Sequence, residues 1–225
     1  MTFSRLPLPP SRRAHLAGDG DKFPLSILLG GLEYLDARSV LEVGAGVGRC
    51  MGYLKAKRPH LRVVGVEPDR ELRAIARSNG IPAADLIAAE ASRLPFNTQS
   101  FDVVCAIDVL HHVRDPSAAV CEMLRVATKG VFISDGNNFG QGRLLVRSAK
   151  QVLNALGLWK VANWVKTKGK GYTITEGDGL AYSYSVFNDY ELLRSRCRVV
   201  HLMNMAPGGR NPYRTASHIA VLALK

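Results

Sequence analysis

From residue 39 onward the chain alternates between two hydrophobic rhythms. Short apolar runs of strand length (39–43, 62–67, 84–89, 101–107 and 131–135) are separated by stretches of helical period over 47–57, 69–78 and 116–127. Apolar strands that alternate with helices predict a parallel sheet covered on both faces. Asp69 is placed to cap the second of these helices and Gly80 to stop it. Ahead of the first strand, Pro24 opens the run Leu25 to Leu35, whose leucine spacing predicts another helix. Toward the end, 199–203 and 218–223 predict a closing antiparallel hairpin, with Asn188 as the cap of a short helix before it.

The junction after the first strand carries the most specific chemistry. Val40-Leu41-Glu42-Val43 runs into Gly44-Ala45-Gly46-Val47-Gly48, three glycines at alternate positions between a strand and a helix. Glycines there permit a tight turn through positive φ and leave the main chain open to a ligand. The spacing departs from a dinucleotide fingerprint, which wants its third glycine where Arg49 stands. Glu42, beside the loop, suits a ligand that carries an ammonium group. The second strand ends in Glu67-Pro68, where a carboxylate in a βαβ unit accepts hydrogen bonds from two ribose hydroxyls. Glu90 and Asp108 also fall at or next to strand ends, the edge at which such sheets bind ligands.

These residues resemble the class I S-adenosylmethionine-dependent methyltransferases, in the small-molecule branch often called type 11. Leu41 to Gly48 looks like the glycine-rich first motif and Val66-Glu67-Pro68-Asp69 like the ribose-binding motif. Glu90 to Phe96 resembles the segment beside the adenine, and Phe101 to Val113 with Glu122 to Val126 resembles the fourth strand and its helix. The likeness runs from about Ser39 to Asp135, under half of the chain. It implies a Rossmann-like α/β fold: a seven-stranded, mostly parallel sheet with an antiparallel last strand and helices on both faces. One methyltransferase domain would then comprise an arm and covering helix (1–36), a cofactor-binding core (37–135), a basic helical insert after strand five (136–187), and a closing helix and hairpin (188–225).

The resemblance also implies S-adenosylmethionine as cofactor and distributes its contacts. Glu42, Gly44, Ala45, Gly46 and Gly48 would face the methionine part, Glu67 and Pro68 the ribose, and Glu90 with Ala91 the adenine. Arg93 to Phe96 would wall the adenine, and Asp108 with Val109 would line the way to the acceptor. Glu90 departs from the family, which usually has Asp there. His111 and His112 follow; a histidine near the donor is a candidate general base, since its ordinary pKa suits proton removal near neutrality. Two adjacent histidines with no third ligand at useful spacing predict no metal site.

Beyond strand five the composition changes. Residues 136–175 contain no Asp or Glu but do contain Arg143, Arg147, Lys150, Lys160, Lys166, Lys168 and Lys170, much of the net charge of +11. Segment 141–166 reads as one or two amphipathic helices and holds both tryptophans. A basic amphipathic helix with tryptophan predicts contact with a membrane surface, a partner or an anionic substrate, or else a lid with its apolar face on the core. Arg143 and Arg147, with Tyr182 and Tyr184 further on, are the candidate acceptor contacts. Gly169 to Gly171 and Gly177 to Gly179 read as hinges.

At 225 residues with 47% hydrophobic content the chain can bury one substantial core. No uninterrupted apolar run reaches the ~18 residues that a membrane-spanning helix needs. The first residues, broken by Pro7, Pro9 and Pro10, show no compact apolar leader, and four dispersed cysteines form no metal pattern. The expectation is a cytoplasmic protein, peripheral at a membrane if the insert binds one. The expected activity is methyl transfer to a small or lipid-like, anionic acceptor, most readily at oxygen. Two alternatives remain open: an RNA methyltransferase, suggested by the charge, and a non-catalytic subunit of the same fold that serves a partner through the insert.

Overall fold

A computed structural model describes residues 22–175, 179–205 and 211–225. The arm preceding Lys22 and most of the second expected hinge, Gly177 and Asp178, lie outside these residues. The chain order is α1 (Lys22–Tyr34), β1 (Ser39–Val43), α2 (Arg49–Lys57), β2 (Arg62–Val66), α3 (Arg70–Ser78), β3 (Leu86–Ile87), β4 (Phe101–Ile107), α4 (Pro116–Val126) and β5 (Ala127–Gly136). Then come α5 (Leu144–Ala155), α6 (Trp159–Lys166), β6 (Tyr172–Thr175), β7 (Gly179–Tyr182), α7 (Tyr190–Arg196), β8 (Val199–Asn204) and β9 (His218–Leu224).

Seven strands form one sheet in the order β3-β2-β1-β4-β5-β9-β8. The pairs from β3 to β5 are parallel, and β9 runs antiparallel to both β5 and β8. The strand period of two divides the core into two layers. Leu41, Val104, Val131 and Val221 face α4, with Val120 and Met123 against them. Their neighbours Val40, Val103, Phe132 and Leu222 face α1 and α2, against Leu28, Leu32, Met51 and Leu54. Burial on both sides explains why these strands read as continuous apolar runs rather than alternating ones.

Several local expectations are met by their own chemistry. Asp69 accepts from the amides of Glu71 and Leu72 and so caps α3. Gly80 adopts φ +91° just past its end. The third strand is shorter than expected, because a 3-10 turn occupies Ala83–Asp85 and only Leu86 and Ile87 pair, with Gly65 and Val66. Asn188 is not a cap: it lies inside a 3-10 turn, Val186–Asp189, whose N-cap is Ser185, and Asp189 precedes α7.

The insert departs most from expectation. It comprises two helices, α5 and α6, and a hairpin, β6–β7, that follows the glycine elbow at 169–171; the alternation in Tyr172-Thr173-Ile174 is a usable strand signal. More consequentially, α5 sits on the protein by its polar face. Lys150 Nζ donates to the carbonyls of Asn138 (2.8 Å) and Gln141 (3.2 Å), and Gln151 Nε2 donates to those of Phe139 and Arg214 (both 3.0 Å). Asn154 Nδ2 meets the Tyr213 hydroxyl at 3.0 Å. Burial, and after it the charge on Lys166, pulls the Lys150 ammonium below its usual pKa. The expectation of a lid with its apolar face on the core is therefore reversed.

Asn137 joins the insert to the sheet. Fully buried after β5, its Nδ2 donates to the carbonyls of Pro212 (3.1 Å), Tyr213 (2.8 Å) and Ala216 (2.9 Å). Its Oδ1 accepts from the Ser185 hydroxyl at 2.8 Å and from the Phe139 amide at 3.2 Å. Removing the side chain strands several buried polar groups, each costing about 1–3 kcal/mol. Asn137→Ala is expected to lower unfolding free energy by about 3 kcal/mol or more in urea titration; an unchanged midpoint would show that the network is dispensable.

Candidate functional site

A cavity of about 940 Å³ opens at the carboxyl ends of the parallel strands, between the β1–α2 turn, the end of β2 and the end of β4. This is the point where strand order reverses on either side of β1, the usual ligand crevice of open α/β sheets. Its floor is the glycine turn. Gly44 (φ +72°) presses against the β4 end so closely that a Cβ would lie 2.5 Å from Val109 Cγ2. Gly46 (φ +53°) has open space where a Cβ would stand. The amides of Gly44 and Ala45 both donate to the Val66 carbonyl at 2.9 Å, which pins the turn to β2.

Glu67 completes that junction. It is 6% exposed, with Oε2 accepting from the Gly46 amide and Oε1 from the Asp69 amide, both at 2.9 Å. Burial raises its pKa above the ordinary glutamate value, against the lowering effect of the two backbone hydrogen bonds. Glu42 is also buried; its Oε2 accepts from the Met51 amide at 3.1 Å in the first turn of α2. A carboxylate thus already occupies one of the helix N-terminal amides.

All but one of the expected cofactor residues line the cavity: Glu42, Gly44, Ala45, Gly46, Glu67, Pro68, Glu90, Ala91, Asp108 and Val109. The exception is Gly48. It does not line the cavity, and it adopts φ +80° with its Cβ position 2.5 Å from Ile81 Cγ1, so it serves the turn and the packing of α2. Arg93 to Phe96 do not wall the cavity either; Ala89 to Ser92 do. Arg125 in α4 draws the later segment away by donating to the carbonyls of Phe96 (2.8 Å) and Leu94 (3.1 Å), while Glu122 accepts from the Leu94 amide.

The β4 side is organised by a residue that sequence reasoning passed over. Asp135, fully buried in β5, accepts from the amides of Leu110 (2.8 Å), Val109 (3.2 Å) and Gly136 (2.6 Å), and its Oδ1 lies 2.7 Å from His111 Nδ1. Asp108 takes φ +54°, a left-handed conformation that Asp tolerates, and so turns the Val109 and Leu110 amides onto that carboxylate. An acid ending the apolar run Val131 to Ser134 was the available signal. His218, also unforeseen, opens β9 with Nε2 2.9 Å from Ser134 Oγ and 3.5 Å from Asp108 Oδ1.

The structure separates the two histidines. His111 does not line the cavity; it belongs to the Asp135 network. His112 does line it, and its Nδ1 lies 2.7 Å from the Leu180 carbonyl oxygen in β7. A carbonyl only accepts, so Nδ1 carries the proton and Nε2 is the basic nitrogen of the neutral ring. Asp108, His111 and Asp135 bring ligand-type atoms within 4.8 Å of one another, a grouping that two adjacent histidines in sequence did not suggest. Asp135 is already engaged by three amides and His111, so hydrogen bonding organises this group.

The acceptor candidates divide. Tyr182, in β7, lines the same cavity as His112. Tyr184 is 4% exposed, packs in the core and donates its hydroxyl to Asp189 Oδ2 at 2.9 Å; burial first, then the nearby carboxylates, push its phenol well above its usual pKa. Arg143 and Arg147 do not line the cavity, because the face of α5 that meets the protein packs against 138–141 and 213–214. The cavity wall carries Asp69, Asp108, Asp115, Glu42, Glu67 and Glu90 against Arg49 and Arg114. An anionic acceptor therefore loses the residues that had suggested it.

Residues 41–134 match the family described as a methyltransferase domain. The chain is 29% identical over 100 residues to a phthiotriol/phenolphthiotriol dimycocerosates methyltransferase of Mycobacterium ulcerans (44% of this chain, 37% of that one). It is 30% identical over 127 residues to a phosphatidylethanolamine N-methyltransferase of Cereibacter sphaeroides (52% and 61%). Among solved structures, magnesium protoporphyrin IX methyltransferase from Synechocystis with bound SAH superposes with a TM-score of 0.61, at 14% identity, over 95% of this chain and 92% of that one. Over residues 41–134 the chain thus matches a methyltransferase domain, and its fold is that of solved S-adenosylmethionine-dependent methyltransferases. It spans from about a third to three fifths of the length of these curated relatives. Among the described residues, no helix is long and apolar enough to cross a membrane.

The site's residues fit the cofactor of that class, S-adenosylmethionine. The turn is open at Gly46, the cavity accommodates a nucleoside, and Glu67 stands at the end of β2. Only ionised Glu67 accepts from two hydroxyls, and its raised pKa means that it protonates at higher pH than an exposed glutamate. Affinity for S-adenosylhomocysteine is expected to hold at neutral pH and to fall by about tenfold per pH unit below that raised pKa. Glu67→Gln should bind weakly at every pH. Calorimetry that found the same acid limb in Glu67→Gln would assign it to another group.

Proposed function

We propose that the chain transfers the methyl group of S-adenosylmethionine to oxygen on a small or lipid-like acceptor. In this reading Glu67 accepts the ribose hydroxyls, Gly44 to Gly46 and Glu42 face the methionine part, and Glu90 with Ala91 meets the adenine. Pro68 flanks the ribose; Asp108 and Val109 form the wall toward the acceptor. Bound there, S-adenosylmethionine supplies an electrophilic methyl group on a sulfonium. The chain's own residues do the rest: they hold both partners in line, exclude water, and receive a proton. Positioning alone is worth about 7–11 kcal/mol in well-oriented systems.

The observation that supports oxygen is His112. A hydroxyl must lose its proton as it is methylated, and His112 lines the cavity with Nδ1 fixed as a donor to Leu180 and Nε2 as the basic nitrogen. Tyr182 lines the same cavity and is the candidate to orient an acceptor hydroxyl. The acidic wall favours a neutral or cationic acceptor. That two relatives are named for phosphatidylethanolamine and for phthiotriol dimycocerosates supports a lipid-like acceptor, met at or near a membrane surface.

The test is transfer of labelled methyl from S-adenosylmethionine into two fractions offered side by side, an organic extract of bacterial membranes and total RNA. Label is expected in the extract, in products with the base-stability of methyl ethers. His112→Gln should reduce turnover by about 10²–10⁴-fold while leaving cofactor affinity unchanged. Label in RNA alone, or in amines of the extract, would overturn the assignment of acceptor.

A further inference from the structure

The insert presents an apolar surface to the outside and a polar one to the protein, the reverse of an ordinary surface helix. Leu145 is 83% exposed, Val152 57% and Leu156 65% in α5; Val161 is 60% and Trp164 62% in α6; Ile174 in β6 is 69%. The opposite face of α5 is consumed by the hydrogen bonds of Lys150, Gln151 and Asn154 to the 138–141 and 213–214 backbone and side chains. Trp159 is likewise committed inward: its Nε1 donates to Ser183 Oγ at 3.1 Å and its ring stacks edge-on against Phe139. The orientation is therefore fixed by polar bonds, and the outward leucines, valines and Trp164 are what remains. An apolar face of this extent marks an interaction site.

Charge selects the occupant. No acidic residue occurs over 136–175, and Lys160, Lys166, Lys168 and Lys170 are exposed around the apolar residues. Apolar side chains with an indole among them, rimmed by lysines, are the composition that inserts at the headgroup boundary of a negatively charged bilayer. A second copy of the chain would bring two lysine rims together. A nucleic acid would meet the lysines but leave the leucines in water.

We propose that the outward face of α5, α6 and β6 is a docking surface for an anionic lipid bilayer. It rests on the methyl-transfer reading only for its purpose, which is to bring the cavity to a lipid-like acceptor. The connection between the two is short. Ile174, on the docking face, pairs across the hairpin with Leu180, whose carbonyl holds His112, and Tyr182 of the same strand lines the cavity. Docking thus acts on the hairpin that positions the base.

The full chain is to be sedimented with vesicles of phosphatidylcholine alone and of phosphatidylcholine with phosphatidylglycerol. Binding is expected to the second only, weakening with salt, with a blue shift of tryptophan fluorescence that Trp164→Ser abolishes. Leu145→Ser with Leu156→Ser, and separately Lys160→Gln with Lys166→Gln and Lys168→Gln, should each weaken binding on the order of tenfold or more. These positions are exposed, so thermal unfolding should not move; a variant that does unfold early is replaced by Trp164→Ser alone. No sedimentation by protein that still binds S-adenosylhomocysteine overturns the docking surface. So does a dimer dissolved by the leucine variants, or RNA binding that they leave intact. Docking without methyl transfer to any lipid overturns the acceptor assignment instead and leaves the surface standing.

Discussion

The Glu67 carboxylate carries two structural duties at once: one oxygen holds the Gly46 amide and the other the Asp69 amide. Through the first it fixes the glycine turn; through the second it fixes the start of α3, where Asp69 caps. The Val66 carbonyl reinforces the tie by accepting from Gly44 and Ala45. Because the turn is pinned to β2 rather than left as a free loop, its backbone can present a defined surface to a ligand. Burial that raises the Glu67 pKa also means that the ionised form costs stability at neutral pH in the free chain. Hydroxyl donors from the ligand proposed above would offset that cost.

Across the sheet a second buried carboxylate plays the matching part. Asp135 gathers the amides of Val109, Leu110 and Gly136 with His111, and thereby sets the turn after β4. The two acids stand on either side of β1, where the strand order reverses. Between them lie the glycine turn on one side and His112 on the other. The cavity is thus framed by main chain held from behind by buried acids, and its chemistry depends on few side chains.

Much of this was legible in the sequence, for physical reasons. The parallel sheet is buried on both faces, so its strands read as apolar runs, and the boundaries of β1 and β4 fall where the pattern put them. Glu42, Glu67, Glu90 and Asp108 were visible because acids at the ends of apolar strands stand out. Asp135 was equally exposed to that logic and missed, since its role is satisfied by backbone amides that no residue code announces. Gly48 was assigned to the ligand because spacing cannot tell a turn glycine from one packed under Ile81. The inverted insert was the least legible: periodicity shows that α5 has two faces, but which one meets the protein depends on the distant carbonyls of Phe139, Gln141 and Arg214.

In the reading proposed above, the glycine turn and Glu67 form a site for S-adenosylmethionine rather than for a dinucleotide. Calorimetric titration of the full chain, freed of carried-over ligand, with S-adenosylmethionine, S-adenosylhomocysteine and NAD tests it directly. Saturable one-site binding of the first two and none of NAD is the predicted result. Binding of NAD, or of none of the three, would contradict it.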